Sequence, residues 1–178
     1  MQQEETSMIE HERKTVNQEM ADLFNDYGRK PEVPWLYRIW DTKQKYLLLQ
    51  NGTLVAAPQN SNSEDQLITV APNRVIDSSK RPIFMGTKVQ NYVLTVKSGD
   101  RPQLQLVAGD VKDLHEKKEE SKEFTFYNQT KGSETTCSFE SAISPGWFLS
   151  TSAEPHKPLG LSQGGGSDIT IFYFVRKQ

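Results

Sequence analysis

Apolar and polar positions along this chain alternate in short runs that turn, return and then recur. The first is Lys45-Tyr46-Leu47-Leu48-Leu49, a turn, then Leu54-Val55-Ala56. The second is Asn91-Tyr92-Val93-Leu94-Thr95-Val96, a turn, then Leu104-Gln105-Leu106. The third is Gly146-Trp147-Phe148-Leu149-Ser150, a longer turn, then Leu159-Gly160-Leu161. Each is an aromatic-led apolar hairpin, and the theme returns after roughly 45–55 residues, a spacing typical of internal repeats. A closing strand follows each hairpin: Leu67-Ile68-Thr69-Val70, Phe124-Thr125-Phe126-Tyr127 and Ile169-Thr170-Ile171-Phe172-Tyr173-Phe174. Opening strands begin at Leu36-Tyr37-Arg38-Ile39-Trp40, Pro82-Ile83-Phe84-Met85-Gly86 and Ser138-Phe139-Glu140-Ser141. About twelve strands are therefore predicted. Three four-stranded units closing on one core predict an all-β chain, a β-trefoil with pseudo-threefold symmetry. A β-sandwich with similar hairpins is the competing arrangement.

Residues 1–34 break the strand pattern and read as an N-terminal leader and linker, with the barrel domain spanning 35–178. Ile9, Val16, Met20, Leu23 and Phe24 recur at helical spacing, and Ser7-Met8-Ile9-Glu10 reads as a capping box. Gly28 is a stop signal, and Pro31 and Pro34 forbid continuation. An amphipathic helix this short is marginal in water unless it docks, so a frayed tail is the alternative. Asn51-Gly52 is the strongest hairpin signal, because both residues tolerate positive φ. The charged run 114–123 reads as a solvated or single helical turn, and Trp147 is expected in the core.

Composition narrows the function. The chain has 178 residues, a net charge of -2 and a hydrophobic content of 35%. That size suits one domain with an appendage, and the charge removes the basis for unspecific nucleic-acid binding. Cys137 is the lone cysteine, so no intrachain disulfide can form. The N-terminus has no secretory-signal pattern, and no apolar run reaches membrane-spanning length. Two glycosylation sequons, Asn51-Gly52-Thr53 and Asn128-Gln129-Thr130, fall in predicted turns.

Catalytic chemistry is not expected. His11, His115 and His156 have no metal-ligand partner at a usable spacing. Cys137 reads as a structural thiol. Gly164-Gly165-Gly166 lacks the Lys-Ser/Thr and the helix of a phosphate loop. Neither cofactor nor metal is expected.

The third unit carries a resemblance. Ser138-Phe139-Glu140-Ser141-Ala142, then Pro145-Gly146-Trp147-Phe148-Leu149 and Ser150-Thr151-Ser152, resembles the signature of the interleukin-1 cytokine family. Pro102-Gln103-Leu104-Gln105-Leu106 and the ending Phe172-Tyr173-Phe174 support it, and the likeness covers about residues 36–178. It implies a β-trefoil, which the repeats predict independently. It also implies a monomeric ligand of immunoglobulin-like receptor ectodomains, extracellular by leaderless secretion with a cytoplasmic pool.

Within the family the chain is nearest the receptor-antagonist subgroup. Tyr37-Arg38-Ile39-Trp40-Asp41 with Gln44-Lys45 is similar to the opening of a receptor antagonist, and Ala71-Pro72-Asn73-Arg74-Val75-Ile76-Asp77-Ser78-Ser79 resembles the short loop of the interleukin-36 branch's antagonists. Agonists place an aspartate, and one antagonist a lysine, where this chain has Ile171. That position bears on recruitment of the accessory receptor chain. Against antagonism, Gly164-Gly165-Gly166-Ser167-Asp168-Ile169-Thr170 resembles an agonist loop, and Tyr92, Thr95, Ser144 and Ser150 replace the antagonists' cysteines. An agonist of the same family is thus the alternative, and a carbohydrate- or protease-binding trefoil a remote one. Position-matching implies receptor contacts at Trp40, Gln44, Pro58, Asn60 and Tyr173. By the same likeness the leader is removed by cleavage near Lys30 or Pro31.

Overall fold

Asn51 and Gly52 turn the chain as their chemistry dictates, with φ of 52° and 76°, the left-handed values of a tight hairpin turn. They join β2 (Lys45–Gln50) to β3 (Thr53–Pro58) in unbroken register from Lys45↔Pro58 to Gln50↔Thr53. The computed structural model describes residues 13–27, 35–59 and 64–177, and the same hairpin recurs in it twice. β6 (Tyr92–Lys97) pairs with β7 (Gln103–Ala108), and β10 (Phe148–Ser150) with β12 (Gly160–Ser162).

The hairpins stand on six further strands. These are β1 (Trp35–Asp41), β4 (Ile68–Pro72), β5 (Pro82–Thr87), β8 (Thr125–Thr130), β9 (Thr136–Ser141) and β13 (Phe172–Arg176). Antiparallel pairing runs β1–β4, β4–β5, β5–β8, β8–β9, β9–β13 and back from β13 to β1. The ring therefore closes and leaves no barrel edge. Each unit's opening strand meets its own hairpin at one position: Trp40↔Tyr46, Gly86↔Val93 and Glu140↔Phe148. A six-strand barrel with three hairpins at one end is a β-trefoil. The described residues hold thirteen strands rather than twelve, because the last arm is split. β11 (Lys157–Pro158) pairs with β3, whereas β12 pairs with β10. Pro158 has no N–H to continue a ladder.

Inward residues of the barrel strands fill the core. Tyr37 stacks on Phe174 at 4.1 Å between ring centroids, and Phe139 packs against Phe172 and Phe174. The charged run forms α2 (Val111–Glu116), N-capped by Asp110, and a 3₁₀ turn at Lys122–Phe124. Val111 and Leu114 are buried against Phe84 and Val93, so the run is amphipathic rather than wholly solvated.

The N-terminal helix is docked. α1 (Val16–Asp26) starts at a capping box in which the Thr15 hydroxyl accepts from Gln18 N–H and the Gln18 side chain accepts from Thr15 N–H. The Ser7–Glu10 pattern, Gly28 and the prolines of the linker lie outside the described residues. Val16, Met20 and Leu23 belong to the same core cluster as Tyr37 and Phe174. Polar contacts fix the helix at the barrel end away from the hairpins. Val16 N–H donates to Glu134 O before β9, Arg176 N–H at the end of β13 donates to Glu19 Oε2, and Arg81 before β5 donates to Asn17 Oδ1. Arg74 donates to Phe24 O and Tyr27 O, satisfying carbonyls at the helix C-terminus. Among the described residues, no helix is long and apolar enough to cross a membrane.

Two expectations change. Trp147 is half-buried outside the core and lines a surface groove with Arg101, Pro102, Leu104 and Leu159, since β10 begins only at Phe148. Asn128 lies within β8, fully buried, with its amide donating to Cys137 Sγ at 3.4 Å. That sequon is therefore closed in the folded chain, whereas Asn51 occupies an exposed turn.

Candidate functional site

Alternation along β1 turns Tyr37 and Ile39 into the core, and so sends Arg38 and Trp40 outward. Alternation along β13 does the same for Tyr173, which stands between the inward rings of Phe172 and Phe174. Trp40 is the register partner of both Tyr46 and Tyr173. The three rings consequently form a stacked row, Trp40 lying 5.0 Å from Tyr46 and 5.3 Å from Tyr173 with interplanar angles of 23° and 17°. Offset stacking of this kind adds to simple burial.

The row is covered. The Arg13 guanidinium lies 5.1 Å from the Trp40 ring centroid and 5.2 Å from that of Tyr173, within cation–π range. Trp40 is only 8% exposed although it faces away from the core. Burial raises the Tyr46 hydroxyl above its ordinary pKa, against the smaller lowering by Arg13 and Arg38.

Asp41 anchors the turn beside the row. It is fully buried, and its Oδ1 accepts from Lys43 N–H and Lys45 N–H at 2.8 and 3.0 Å. Its Oδ2 accepts from Thr151 Oγ1 at 2.6 Å, tying the first unit to the third. Lys45 Nζ lies 2.8 Å from the same oxygen, an ion pair that is not aligned as a hydrogen bond. Removing one member of such a buried pair strands the other charge. Gln44 is exposed in this turn at φ 64°, and Pro58 is exposed opposite Lys45.

Strand pairing thus gathers Trp40, Gln44, Pro58 and Tyr173 into one region. Ile171 is half-buried two residues before Tyr173, where a Cβ added to Gly132 would lie 3.5 Å from its Cγ2. Asn60, Lys30 and Pro31 lie outside the described residues. Sequence reasoning missed Tyr46, Arg13 and the Asp41–Lys45–Thr151 anchor. Only Asp41 and Lys45 left a trace, a charged pair flanking a turn between two apolar strands.

The rest of the surface offers less. A hollow of about 420 Å³ lies where the three hairpins meet, lined by Leu54, Leu104, Leu106 and Leu159 among others. Cys137 is fully buried, and burial pushes its thiol up to about 12, where little nucleophilic thiolate forms at neutral pH. Among the described residues, no three His, Cys, Asp or Glu side chains group as a metal site.

Known proteins share this sequence pattern and fold. The profile of the Interleukin-1 / 18 family matches residues 57–174. Over 156 residues the chain is 38% identical to the interleukin-1 receptor antagonist protein of Sus scrofa, covering 85% of this chain and 84% of that one. Over 145 residues it is 37% identical to the human interleukin-36 receptor antagonist protein, covering 78% and 92%. The solution structure of the pro-inflammatory cytokine interleukin-36alpha superposes with a TM-score of 0.66 at 31% identity, covering 84% of this chain and 97% of that one. With the profile spanning most of the barrel and relatives this similar across it, the chain belongs to the interleukin-1 family of cytokines, which are non-enzymatic signalling proteins.

Proposed function

We propose that this chain is a receptor antagonist: it occupies an interleukin-1 family receptor through the face around Trp40 and fails to recruit the accessory chain. One observation carries the docking half, the outward row Tyr46–Trp40–Tyr173 with exposed Gln44 and Pro58 at its rim. Large amphipathic rings flanked by polar groups are the usual anchors of protein interfaces. Asn60, two residues after Pro58 in the sequence, is part of the same proposal. Two relatives named as receptor antagonists support the assignment.

The blocking half rests on Ile171, which offers no carboxylate where agonists of the family carry one. A standard interface buries about 800 Å² on each partner, so one trefoil can keep the first docking surface and lose the second. The ligand acts as a monomer on an immunoglobulin-like ectodomain, after leaderless release from a cytoplasmic pool. Cleavage near Lys30 or Pro31 removes the leader. That cut takes Val16, Met20 and Leu23 out of the barrel mouth, so the trimmed protein is expected to be less stable than the full chain.

The agonist reading is favoured by a different observation, the likeness to pro-inflammatory interleukin-36alpha. Reporter cells bearing interleukin-1 or interleukin-36 receptors separate the two. The chain is added alone and together with the matching agonist. Loss of the agonist's response supports antagonism, and a response to the chain alone supports agonism. Silence in both arms on both receptors rejects the receptor assignments.

A further inference from the structure

We infer that the row Tyr46–Trp40–Tyr173 receives a basic side chain of the receptor, and that Arg13 of the leader is its internal stand-in. The inference rests on the receptor-docking reading above and names the chemistry of the partner at that face.

The rings present a neutral, electron-rich surface, and Arg13 spans two of them at once, 5.1 Å from Trp40 and 5.2 Å from Tyr173. A guanidinium over a tryptophan face is the favoured cation–π geometry. The chain brings it there from a distant part of the sequence, because the segment just after Arg13 is tightly held. Lys14 pairs with Asp22 at 2.7 Å, Thr15 closes the capping box, and Val16 N–H donates to Glu134 O. Arg13 thus lies two residues before the N-cap Thr15 of a fixed helix, with its guanidinium over the rings.

The face accepts this cation despite an adverse neighbour. Arg38 shares the outward side of β1, and its Nε is buried with no hydrogen-bond partner. A partner group bringing a carbonyl or carboxylate beside its own basic side chain would satisfy Arg38 while replacing Arg13. Flat, pre-stacked rings need little reordering to receive it. A chain with the leader docked therefore competes with its own receptor for one surface.

The test uses the full chain, Arg13→Ala and Arg13→Lys. Arg13 is a half-exposed residue outside the core, so both variants are expected to fold. The first readout is the Trp40 indole N–H resonance during titration with N-acetyl-arginine amide or its uncharged citrulline counterpart. In Arg13→Ala the arginine probe shifts this resonance saturably and the citrulline probe does not. In the wild type and Arg13→Lys the shift requires several-fold more probe. The second readout is affinity for immobilised interleukin-1 and interleukin-36 receptor ectodomains. Arg13→Ala is expected to bind about three- to tenfold more tightly than the wild type, and Arg13→Lys to remain near it. Equal shifts with both probes, or no shift, overturn the inference. So does equal receptor affinity of Arg13→Ala and the wild type. If no chain binds either receptor, the docking reading fails there, and the probe titration alone decides whether the face accepts cations.

Discussion

Trp40, Gly86 and Glu140 occupy the same place in the three units, where the opening strand touches its own hairpin. Their differences show what each unit does at that place. At Gly86 an added Cβ would lie 2.5 Å from Tyr92 O and 2.8 Å from Thr69 Oγ1, so backbone closeness leaves no room for a side chain. Gly86→Ala is expected to destabilise the fold by about 1–3 kcal/mol, read as a lower denaturant midpoint; an unchanged midpoint would mean the strands can part freely. Glu140 instead accepts from Gly146 N–H at 2.7 Å and shapes the loop before β10. Trp40 alone carries a large ring outward. Cys137 shows the opposite case, a reactive residue type made inert by its place. Ellman's reagent at pH 8 is expected to leave it unmodified in the native chain and to titrate it on unfolding. Rapid native labelling would contradict its burial.

The hairpins and barrel strands were legible in the sequence because alternation and turn chemistry are local. Asn51-Gly52 marked its turn, and the alternation of Phe172, Tyr173 and Phe174 marked a strand with one core face without saying which face it is. The docking of α1 was not legible. Its spacing predicted an apolar face, but no local signal says what covers that face, and the deciding contacts come from Arg74, Arg81, Glu134 and Arg176 far along the chain. For the same reason Tyr46 and Arg13 could not be joined to Trp40 from spacing alone.

The docked helix also carries a pH-dependent element. Glu19 is 3% exposed, and its Oε1 has no hydrogen-bond partner. Burial raises its pKa, more than the Arg176 N–H and Lys14 lower it, while Asp22 adds to the rise. The folded state therefore holds this proton more tightly than the unfolded chain does. Its stabilising contribution is complete below the ordinary glutamate range and is lost as pH rises through the raised value. Glu19→Gln keeps an acceptor for Arg176 N–H without the buried charge. It is expected to exceed the wild type in denaturation midpoint at neutral pH, with the gap closing by about pH 4. A gap of equal size at both pH values would show that the carboxylate is not its source.

On the scale of the molecule, threefold repetition supplies the barrel and departures from it supply the face proposed to dock. The repeat was readable because each unit restates one hairpin and one closing strand. The face was readable only in outline. Trp40, Gln44 and Pro58 lie on or beside the consecutive strands β1, β2 and β3, and Tyr173 joins them only through the pairing of β1 with the distant C-terminal strand β13. The central claim is that this surface engages a receptor whose accessory chain is then left out. Its most direct test is analytical ultracentrifugation of the full chain mixed with the ectodomains of an interleukin-1 family receptor and its accessory protein. A one-to-one complex with the receptor alone is expected, with no heavier species when the accessory ectodomain is added. A ternary complex, or no complex with any family receptor, would contradict it.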